Sequence, residues 1–376
     1  MKFLFTIITA LLLSNTLFAN ESKVCQKCHP IIYQEYSESS HKNASVYNNP
    51  IHKAMWEKHP KDEKGYTCAK CHSPSDIDSV KNGTLAKNSI QTDEAISCVY
   101  CHSIESVEDG DDSNINHVTG KNREFYTAQE DMKDKGKVEY KTVTSWFGLV
   151  KESTASPYHK IDYSNNNYYT GNVCMGCHSH TNNKHSFDIT MLDAAIDEKD
   201  KNTCVTCHMP QVAGTKVTLL DTPTHAFHGI AGIYHKNLSM GQYVDFKVTQ
   251  SSNGFKVSVI NKSNHALFGQ AFRQGILKAK IVRGKKSVDL DPFVFERTLG
   301  KDGKEVMPWN ANMTLKDTLI YAKRDVAFTN ILQKGDVLEL TLGVQRISKD
   351  GLKELGLDEN VEFTKFRILK TQKFNF

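Results

Sequence analysis

The chain has 376 residues, of which 39% are hydrophobic, and a formal net charge of +4 at pH 7, so its length allows two folded domains. No apolar stretch beyond the first twenty residues is long enough to suggest a membrane span. The sequence has no basic patch interleaved with aromatic residues, Ser-His-Asp arrangement, phosphate-binding loop or His-Glu-x-x-His motif, which argues against nucleic-acid binding and against hydrolytic or nucleotide chemistry.

Residues 1–19 have the pattern of a secretory signal peptide. Lys2 precedes an apolar run from Phe3 to Leu13, and the small residue Ala19 offers a cleavage position. We therefore expect cleavage after Ala19 and export to the periplasm, with the cell surface as a further destination. The alternative is an uncleaved membrane anchor, for which the apolar run is short.

All ten cysteines lie in five copies of a Cys-x-x-Cys-His motif. The five copies are Cys25, Cys28 and His29; Cys68, Cys71 and His72; Cys98, Cys101 and His102; Cys174, Cys177 and His178; and Cys204, Cys207 and His208. This spacing is the attachment signature of c-type haem, because two thiols three positions apart form thioethers with one porphyrin while the next imidazole becomes the proximal iron ligand.

Disulfides and zinc sites are the alternative uses of these cysteines. Five copies that leave no cysteine over favour five covalently attached haem c groups. Haem of this type is attached outside the cytoplasm, so the motifs and the signal peptide support each other.

Residues 20–239 are predicted to form a pentahaem cytochrome c domain. They are polar and loop-rich, and they carry 23 Lys and Arg against 28 Asp and Glu. Five haems would replace much of the apolar core that this segment lacks. Short helices are expected at Ile31–His41 and Thr127–Lys135, and the acidic stretch Glu108–Asp112 is typical of a solvated turn rather than a calcium site.

Residues 240–376 are predicted to form a β-sandwich domain, and they carry 23 Lys and Arg against 15 Asp and Glu. Hydrophobic residues alternate with polar ones over residues 244–249 and 255–259 on either side of a Ser-Ser-Asn-Gly turn, which predicts a hairpin. Further strands are expected at Ile276–Val282, Pro292–Arg297, Thr318–Ala322, Val326–Thr329, Val337–Arg346 and Phe363–Leu369. About eight short strands favour an antiparallel sandwich of immunoglobulin-like type.

The predicted fold class is therefore α+β with two domains: a multihaem domain of loops and short helices, followed by an immunoglobulin-like β-sandwich. The acidic haem domain and the basic β-domain make the protein dipolar, which would bias its docking on charged redox partners.

Eleven histidines lie outside the motifs, and most of them are near the motifs in the sequence. A low-spin haem needs a second axial ligand, whereas the methionines of this region suggest nothing beyond packing. We therefore expect bis-histidine coordination for at least four haems, which gives lower potentials than His/Met coordination.

Several segments resemble multihaem cytochromes of the cytochrome c-552/c-554 family, relatives of hydroxylamine oxidoreductase. In Cys25–Ser45 the motif is followed by an aromatic residue and a Ser-x-His-x-x-Ala helix, as at the opening of those proteins. Further similar segments are Ile96–Ile104, Ser156–His159, Cys207–Pro210 with Thr224–Gly229, and the turn Asn261–Gly269 that resembles one in relatives with an appended β-domain.

The resemblance implies five distal iron ligands. They are His41, His117, His159, His225 and His265. His228 is the alternative to His225, and Ser263-Asn264 stands where the family has a glycine before His265. By analogy, His41 would face the third haem and His117 the first.

Closely spaced haems conduct electrons, so the first functional hypothesis is a periplasmic electron carrier between redox proteins, either quinol-linked or soluble cytochromes. The second is a reductase or oxidase of a small nitrogen or sulfur compound at one open-site haem, for which the second motif, with His52 and His59 as caps or proton donors, is the candidate. All five motifs keep their histidine, which argues against a close nitrite-reductase relative. A structural or adhesive subunit is the third hypothesis.

Overall fold

The computed structural model describes residues 22–60, 68–75, 94–121, 123–144, 151–190, 202–217, 220–233, 235, 238, 240–270, 272–357 and 361–376. The predicted signal peptide lies outside these residues. Within them, no helix is both long enough and apolar enough to cross a membrane.

The helices of the motif-bearing part are short. They are α1 (Pro30–Ser37), α2 (Pro50–Lys58), α3 (Ala69–His72), α4 (Cys98–His102), α5 (Asn167–Thr170) and α6 (Cys204–His208), with 3-10 turns at Ser22–Lys27, Glu130–Lys135 and Asn172–Cys174. The helix expected at Ile31–His41 ends at Ser37, before two serines that favour caps and turns. The helix expected at Thr127–Lys135 is a 3-10 turn that stops at Gly136, whose φ is 57°.

The strands between these helices form small sheets of two or three strands. They are β1 (Ile104–Glu108), β2 (Ile115–Val118), β3 (Glu124–Tyr126), β4 (Lys137–Val138), β5 (Lys141–Thr144), β6 (Lys151–Thr154), β7 (Lys160–Asp162), β8 (Gln211–Val217) and β9 (Leu220–Ala226). The pairs β1–β2, β5–β6 and β8–β9 are hairpins, and β7 lies between β3 and β4.

Longer strands begin at Val244. They are β10 (Val244–Ser251), β11 (Gly254–Asn261), β12 (Gln274–Arg283), β13 (Lys286–Asp289), β14 (Phe293–Phe295), β15 (Arg297–Lys301), β16 (Lys304–Glu305), β17 (Met313–Asp317), β18 (Lys323–Phe328), β19 (Asp336–Gln345) and β20 (Arg367–Asn375). The predicted hairpin is confirmed, since β10 and β11 pair antiparallel from Val244–Asn261 to Ser251–Gly254.

Three antiparallel sheets make up this part of the chain: β10-β11-β18, a five-stranded sheet with β13-β12-β19-β20 in order and β14 also on β12, and β16-β15-β17. The first two share one hydrophobic core, in which Val257 and Val259 from β11 pack with Leu277 from β12 and with Leu338 and Leu340 from β19. The mixed fold with antiparallel sheets therefore agrees with the coarse prediction from the sequence.

Three predicted strands differ from the observed elements. Pro292–Arg297 contains β14 and the first residue of β15, which belong to different sheets. In Thr318–Ala322 only Ile320 makes a β-bridge, to Leu267, because both Leu319 and Ile320 are completely buried instead of alternating in and out. In Phe363–Leu369 the short helix α8 (Val361–Thr364) comes first, and the strand begins at Arg367.

The β-rich part contacts the motif region directly. Ala54 of α2 packs against Ile347, Leu352 and Leu355 on and beside α7 (Lys349–Leu355). Farther along, the Nδ2 of Asn183 donates hydrogen bonds of 2.8 and 2.7 Å to two carbonyl oxygens of the β-rich part, those of Pro308 and Ala311. These contacts hold α2 and the loop after the fourth motif against the β-rich part.

Candidate functional site

Each motif forms a single turn of helix. In the first and fourth motifs the histidine N–H donates to the carbonyl of the first cysteine, with N···O distances of 2.8 Å for His29 and His178. In α4 and α6 the residue before the first cysteine caps the turn: Ser97 accepts from the N–H of Tyr100, and Thr203 forms a capping box with Thr206. Residues three and four apart lie on one face of a helix, so each turn presents both thiols and the imidazole together.

Four of the motif histidines face a second histidine ring. The ring centres are 6.4 Å apart for His29 and His159, 5.9 Å for His178 and His41, 6.2 Å for His102 and His228, and 6.2 Å for His208 and His265. A metal–imidazole bond is about 2 Å long and the ring centre lies about 1.2 Å behind the nitrogen, so two imidazoles on opposite sides of one metal have centres about 6.3 Å apart. The four spacings fit an iron between the rings.

The fifth motif histidine, His72, has a different arrangement. Its ring stacks on that of His52 with centres 3.9 Å apart and planes inclined by 13°. This separation leaves no room for a metal between the two rings as they stand. The second motif is therefore geometrically distinct from the other four.

Backbone carbonyls fix the tautomer of five of these ten rings. The Nδ1 atoms of the motif histidines His102, His208 and His72 lie 2.7, 2.7 and 3.1 Å from the carbonyl oxygens of Tyr126, Ala231 and Ala44, respectively. In the facing histidines, the Nδ1 atoms of His228 and His265 lie 2.6 and 2.9 Å from the carbonyl oxygens of Ala226 and Ala266. A carbonyl oxygen only accepts, so each Nδ1 donates and Nε2 keeps a lone pair for a metal, as is usual for ligating histidines.

Burial keeps the paired imidazoles neutral. Desolvation lowers the pKa of His178 to about 3 and that of His228 to about 4, in each case with a further contribution from neighbouring histidines. Desolvation also lowers the pKa of His41 and, to about 2, that of His52. Neutral imidazole is the form that binds a metal, so these groups need lose no proton at neutral pH to coordinate iron.

The attachment cysteines of different motifs meet in space. The side chains of Cys25 and Cys98 lie within hydrogen-bonding reach, which brings the first motif next to the third. Cys177 of the fourth motif is equally close to Cys71, and Cys174 of the same motif to Cys204. The motifs are thus arranged in contact, with the fourth between the second and the fifth. None of the ten cysteines is in a disulfide.

Two further features fit a large prosthetic group. A cavity of about 280 Å³ opens beside Cys207 and is lined mainly by apolar residues, among them Pro210, Leu238 and Tyr243. Elsewhere, the buried Nδ1 atoms of His29 and His159 have no hydrogen-bond partner among the described residues. Over the same residues, no three His, Cys, Asp or Glu side chains cluster as they would around a zinc ion.

Three of the five predicted distal histidines lie opposite a motif histidine in the structure: His41, His159 and His265. His41 faces the histidine of the fourth motif, whereas the family analogy pointed to the third. The Nε2 atom of His117, a half-exposed residue on β2, lies 2.6 Å from Glu108, and that of the buried His225 lies 2.8 Å from Glu35.

His228 lies opposite the motif histidine His102, and His52 is stacked on the motif histidine His72. The sequence contains a clue for His52, since Asn49-Pro50 is a helix-start signal that places it in the first turn of α2. For His228 the sequence offers only its proximity to His225.

Two comparisons with known proteins found a match to this chain. Residues 24–103 match the family model described as cytochrome c554 and c-prime. Among solved structures, the chain is similar to a penta-heme cytochrome c552 from Thermochromatium tepidum, with a TM-score of 0.65 and 18% sequence identity over 95% of this chain and 99% of that one. No curated protein matches. Together with the five motifs, the family match supports a multihaem c-type cytochrome.

Proposed function

We propose that this protein is an exported periplasmic cytochrome that binds five covalent haem c groups and transfers electrons between redox proteins. The observation that carries the proposal is the set of four histidine pairs whose ring centres are 5.9 to 6.4 Å apart. A haem iron held by two imidazoles changes between the ferric and ferrous states without an open position for substrate, which suits electron transfer.

The proposed ligands follow the pairing. The two cysteines of each motif attach the haem, and the motif histidine is the proximal ligand. The distal ligands are His159 for the first motif, His228 for the third, His41 for the fourth and His265 for the fifth; His52 is the imidazole next to the second. His117 and His225 are not in this set, because each has a carboxylate partner instead.

The contacts between motifs support conduction through the protein. Thiol–thiol contacts join the first motif to the third and the fourth to both the second and the fifth. Haems attached at such points are close neighbours, and electron tunnelling is fast only over short distances. The acidic motif region and the basic β-rich part would orient the protein on quinol-linked or soluble cytochrome partners.

We propose that the β-rich part is an immunoglobulin-like sandwich that completes the haem site, and that the motif region is related to hydroxylamine oxidoreductase. Two sheets enclose one core, as a sandwich requires. His265, in the turn after β11, lies opposite His208 of the fifth motif. The sandwich would therefore supply an iron ligand and could not swing freely on a linker.

The arrangement at the second motif favours a second candidate function, redox chemistry on a small nitrogen or sulfur compound. His72 and His52 are stacked too closely to hold an iron as they stand. Nearby, the ring of His59 contacts Trp56 and Trp309, and its buried Nδ1 has no hydrogen-bond partner in the part of the chain that the structure describes. His59 is the candidate proton donor for such chemistry.

Spectroscopy of the purified holoprotein separates the two functions. For an electron carrier we expect ferric EPR signals of low-spin haem, reversible reduction of all five haems, and no change on adding nitrite or hydroxylamine. A high-spin signal that disappears on adding either compound, with turnover of that compound, would favour the enzyme. High-spin signals from several haems would contradict bis-histidine ligation altogether.

A further inference from the structure

We propose that Glu35 is a positioning residue that holds the iron ligand His228 in place, and that His225 acts as the partner of Glu35 and not as an iron ligand. This inference rests on the proposed haem function, with His228 opposite His102. It concerns a carboxylate on α1, the helix that directly follows the first motif, acting on a ligand of the third.

Both oxygens of the Glu35 carboxylate are used. Oε1 accepts a hydrogen bond from Nε2 of His225 at 2.8 Å, and Oε2 accepts one from the backbone N–H of His228 at 2.9 Å. The two bonds therefore fix both ends of the segment from residue 225 to residue 228. Within it, Nδ1 of His228 donates to the carbonyl of Ala226 at 2.6 Å, which leaves Nε2 for the metal.

The interaction is buried, so water cannot replace it easily. The side chains of His225 and Glu35 are only 6% and 15% exposed. Removing the carboxylate would leave the N–H groups of His225 and His228 without their acceptor in a largely dry environment, which a folded chain avoids by rearranging. The short segment that carries His228 would be the part to move.

The same segment also reaches the fifth motif. Ala231, three residues after His228, accepts a hydrogen bond from Nδ1 of His208 at 2.7 Å, and its N–H donates to the carbonyl of His208 at 2.6 Å. Glu35 lies on the helix that follows the first motif. It thus anchors a stretch of chain that contacts the third and the fifth motifs. The proposed role of Glu35 is therefore to position the ligand His228, and not to contact the iron itself.

Four variants of the full-length holoprotein test this inference, each checked for haem content. His228→Ala should yield one high-spin haem that binds carbon monoxide when reduced. Glu35→Ala should yield the same species, in part or in full, because the ligand is present but no longer held. The double variant Glu35→Ala/His228→Ala should bind no more carbon monoxide than His228→Ala alone, since both changes act on one iron. His225→Ala should leave His228 on the iron, so this protein should gain no carbon-monoxide-binding haem.

Glu38→Ala is the matched control, since it removes an exposed carboxylate at the end of the same helix. If Glu35→Ala does not accumulate with haem, Glu35→Gln replaces it, because the amide keeps the shape but lacks the second acceptor oxygen. It should bind more carbon monoxide than Glu38→Gln, and equal binding would overturn the proposal.

Three other results would also overturn it. They are a fully low-spin Glu35→Ala protein, a Glu35→Ala/His228→Ala protein with two carbon-monoxide-binding haems, and a His225→Ala protein with as complete a carbon-monoxide-binding haem as His228→Ala. A His228→Ala protein that stays low-spin would instead refute the ligand assignment on which the proposal rests.

Discussion

His52 and His72 are stacked with ring centres 3.9 Å apart, whereas the other motif histidines face their partners at 5.9 to 6.4 Å. An iron bound to both His52 and His72 would require the ring centres to move about 2.4 Å farther apart, since two imidazoles on one metal have centres about 6.3 Å apart, and the stacked rings to turn until a nitrogen of each points at the metal. The two rings are carried by different helices. His72 is at the end of α3, and His52 lies on α2, which packs against α7 of the β-rich part. Coordination of one iron by both His72 and His52 would therefore require the two rings, and the helices that carry them, to rearrange.

The first prediction follows from this geometry. We expect His52→Ala to make the second haem bind carbon monoxide faster and more completely than the wild-type protein does, because the change removes the nearest imidazole to His72. Stopped-flow absorption of the reduced protein measures this. His185→Ala is the control, because it removes an exposed histidine from the loop after the fourth motif. Identical kinetics in His52→Ala and the wild type would show that His52 does not bind this iron.

The second prediction concerns haem count. The intact mass of the mature protein should exceed that of the cleaved polypeptide by five haem masses, because each motif turn presents two thiols to one porphyrin. Cys98→Ala/Cys101→Ala should lose one haem mass, and the colour of the wild type should stay with the protein in acid–acetone. Four or fewer haems from a host that matures c-type cytochromes would contradict the count.

The third prediction distinguishes two histidines that the family resemblance treats alike. His41→Ala should convert one haem from low spin to high spin, because the His41 ring lies 5.9 Å from that of His178. His117→Ala should leave all EPR signals unchanged, because His117 is half-exposed and bound to Glu108. Thioether attachment should survive in both proteins. The reverse pattern of spin states would contradict the pairing.

The fourth prediction concerns His265. His265→Ala should leave five haems attached but produce one iron that takes up carbon monoxide, and it should lower the temperature at which the β-rich part unfolds, because a ligand bond formed only in the docked state stabilises that state. A chain truncated after Leu238 should show the same vacant iron. The exposed His185 provides the control, His185→Ala. An entirely low-spin, carbon-monoxide-inert His265→Ala protein would exclude His265 as a ligand.

The fifth prediction concerns pH and Asp336, at the start of β19. Hydrogen bonds from Arg283 at 2.8 and 2.7 Å, and from the N–H of Gln333, lower the pKa of Asp336 to about 2. A lowered pKa means that the stabilisation is fully present above the ordinary value near 3.8 and is lost as the pH falls towards 2. Asp336→Asn should therefore melt at a lower temperature than the wild type at pH 7.

The difference between the two melting temperatures should shrink between about pH 4 and pH 2. Circular dichroism of the holoproteins measures both temperatures, and Asp289→Asn, which removes an exposed carboxylate from β13, is the control. A difference that stays constant across this pH range would show that the Asp336 charge is not responsible.

The sequence by itself determined the five Cys-x-x-Cys-His motifs and the hairpin of β10 and β11. Cys25, Cys28 and His29 lie within one helical turn, so their chemistry depends only on spacing, which the chain order sets directly. The hairpin of β10 and β11 is likewise local, because alternating hydrophobic residues flank a turn that brings the two strands side by side. The strand predicted at Thr318–Ala322 was wrong, because Leu319 and Ile320 are both completely buried instead of one being buried and the next exposed.

The tertiary structure decided which histidine faces which motif. His41 and His178, like His208 and His265, are far apart in the chain, and their approach depends on how helices and sheets pack. Between His225 and His228, the sequence alone favours neither by spacing. The Glu35 carboxylate accepts hydrogen bonds from the ring of His225 and from the backbone N–H of His228. This arrangement leaves the His228 ring facing His102. Such long-range partners leave no local pattern, because their contacts exist only after the chain has folded.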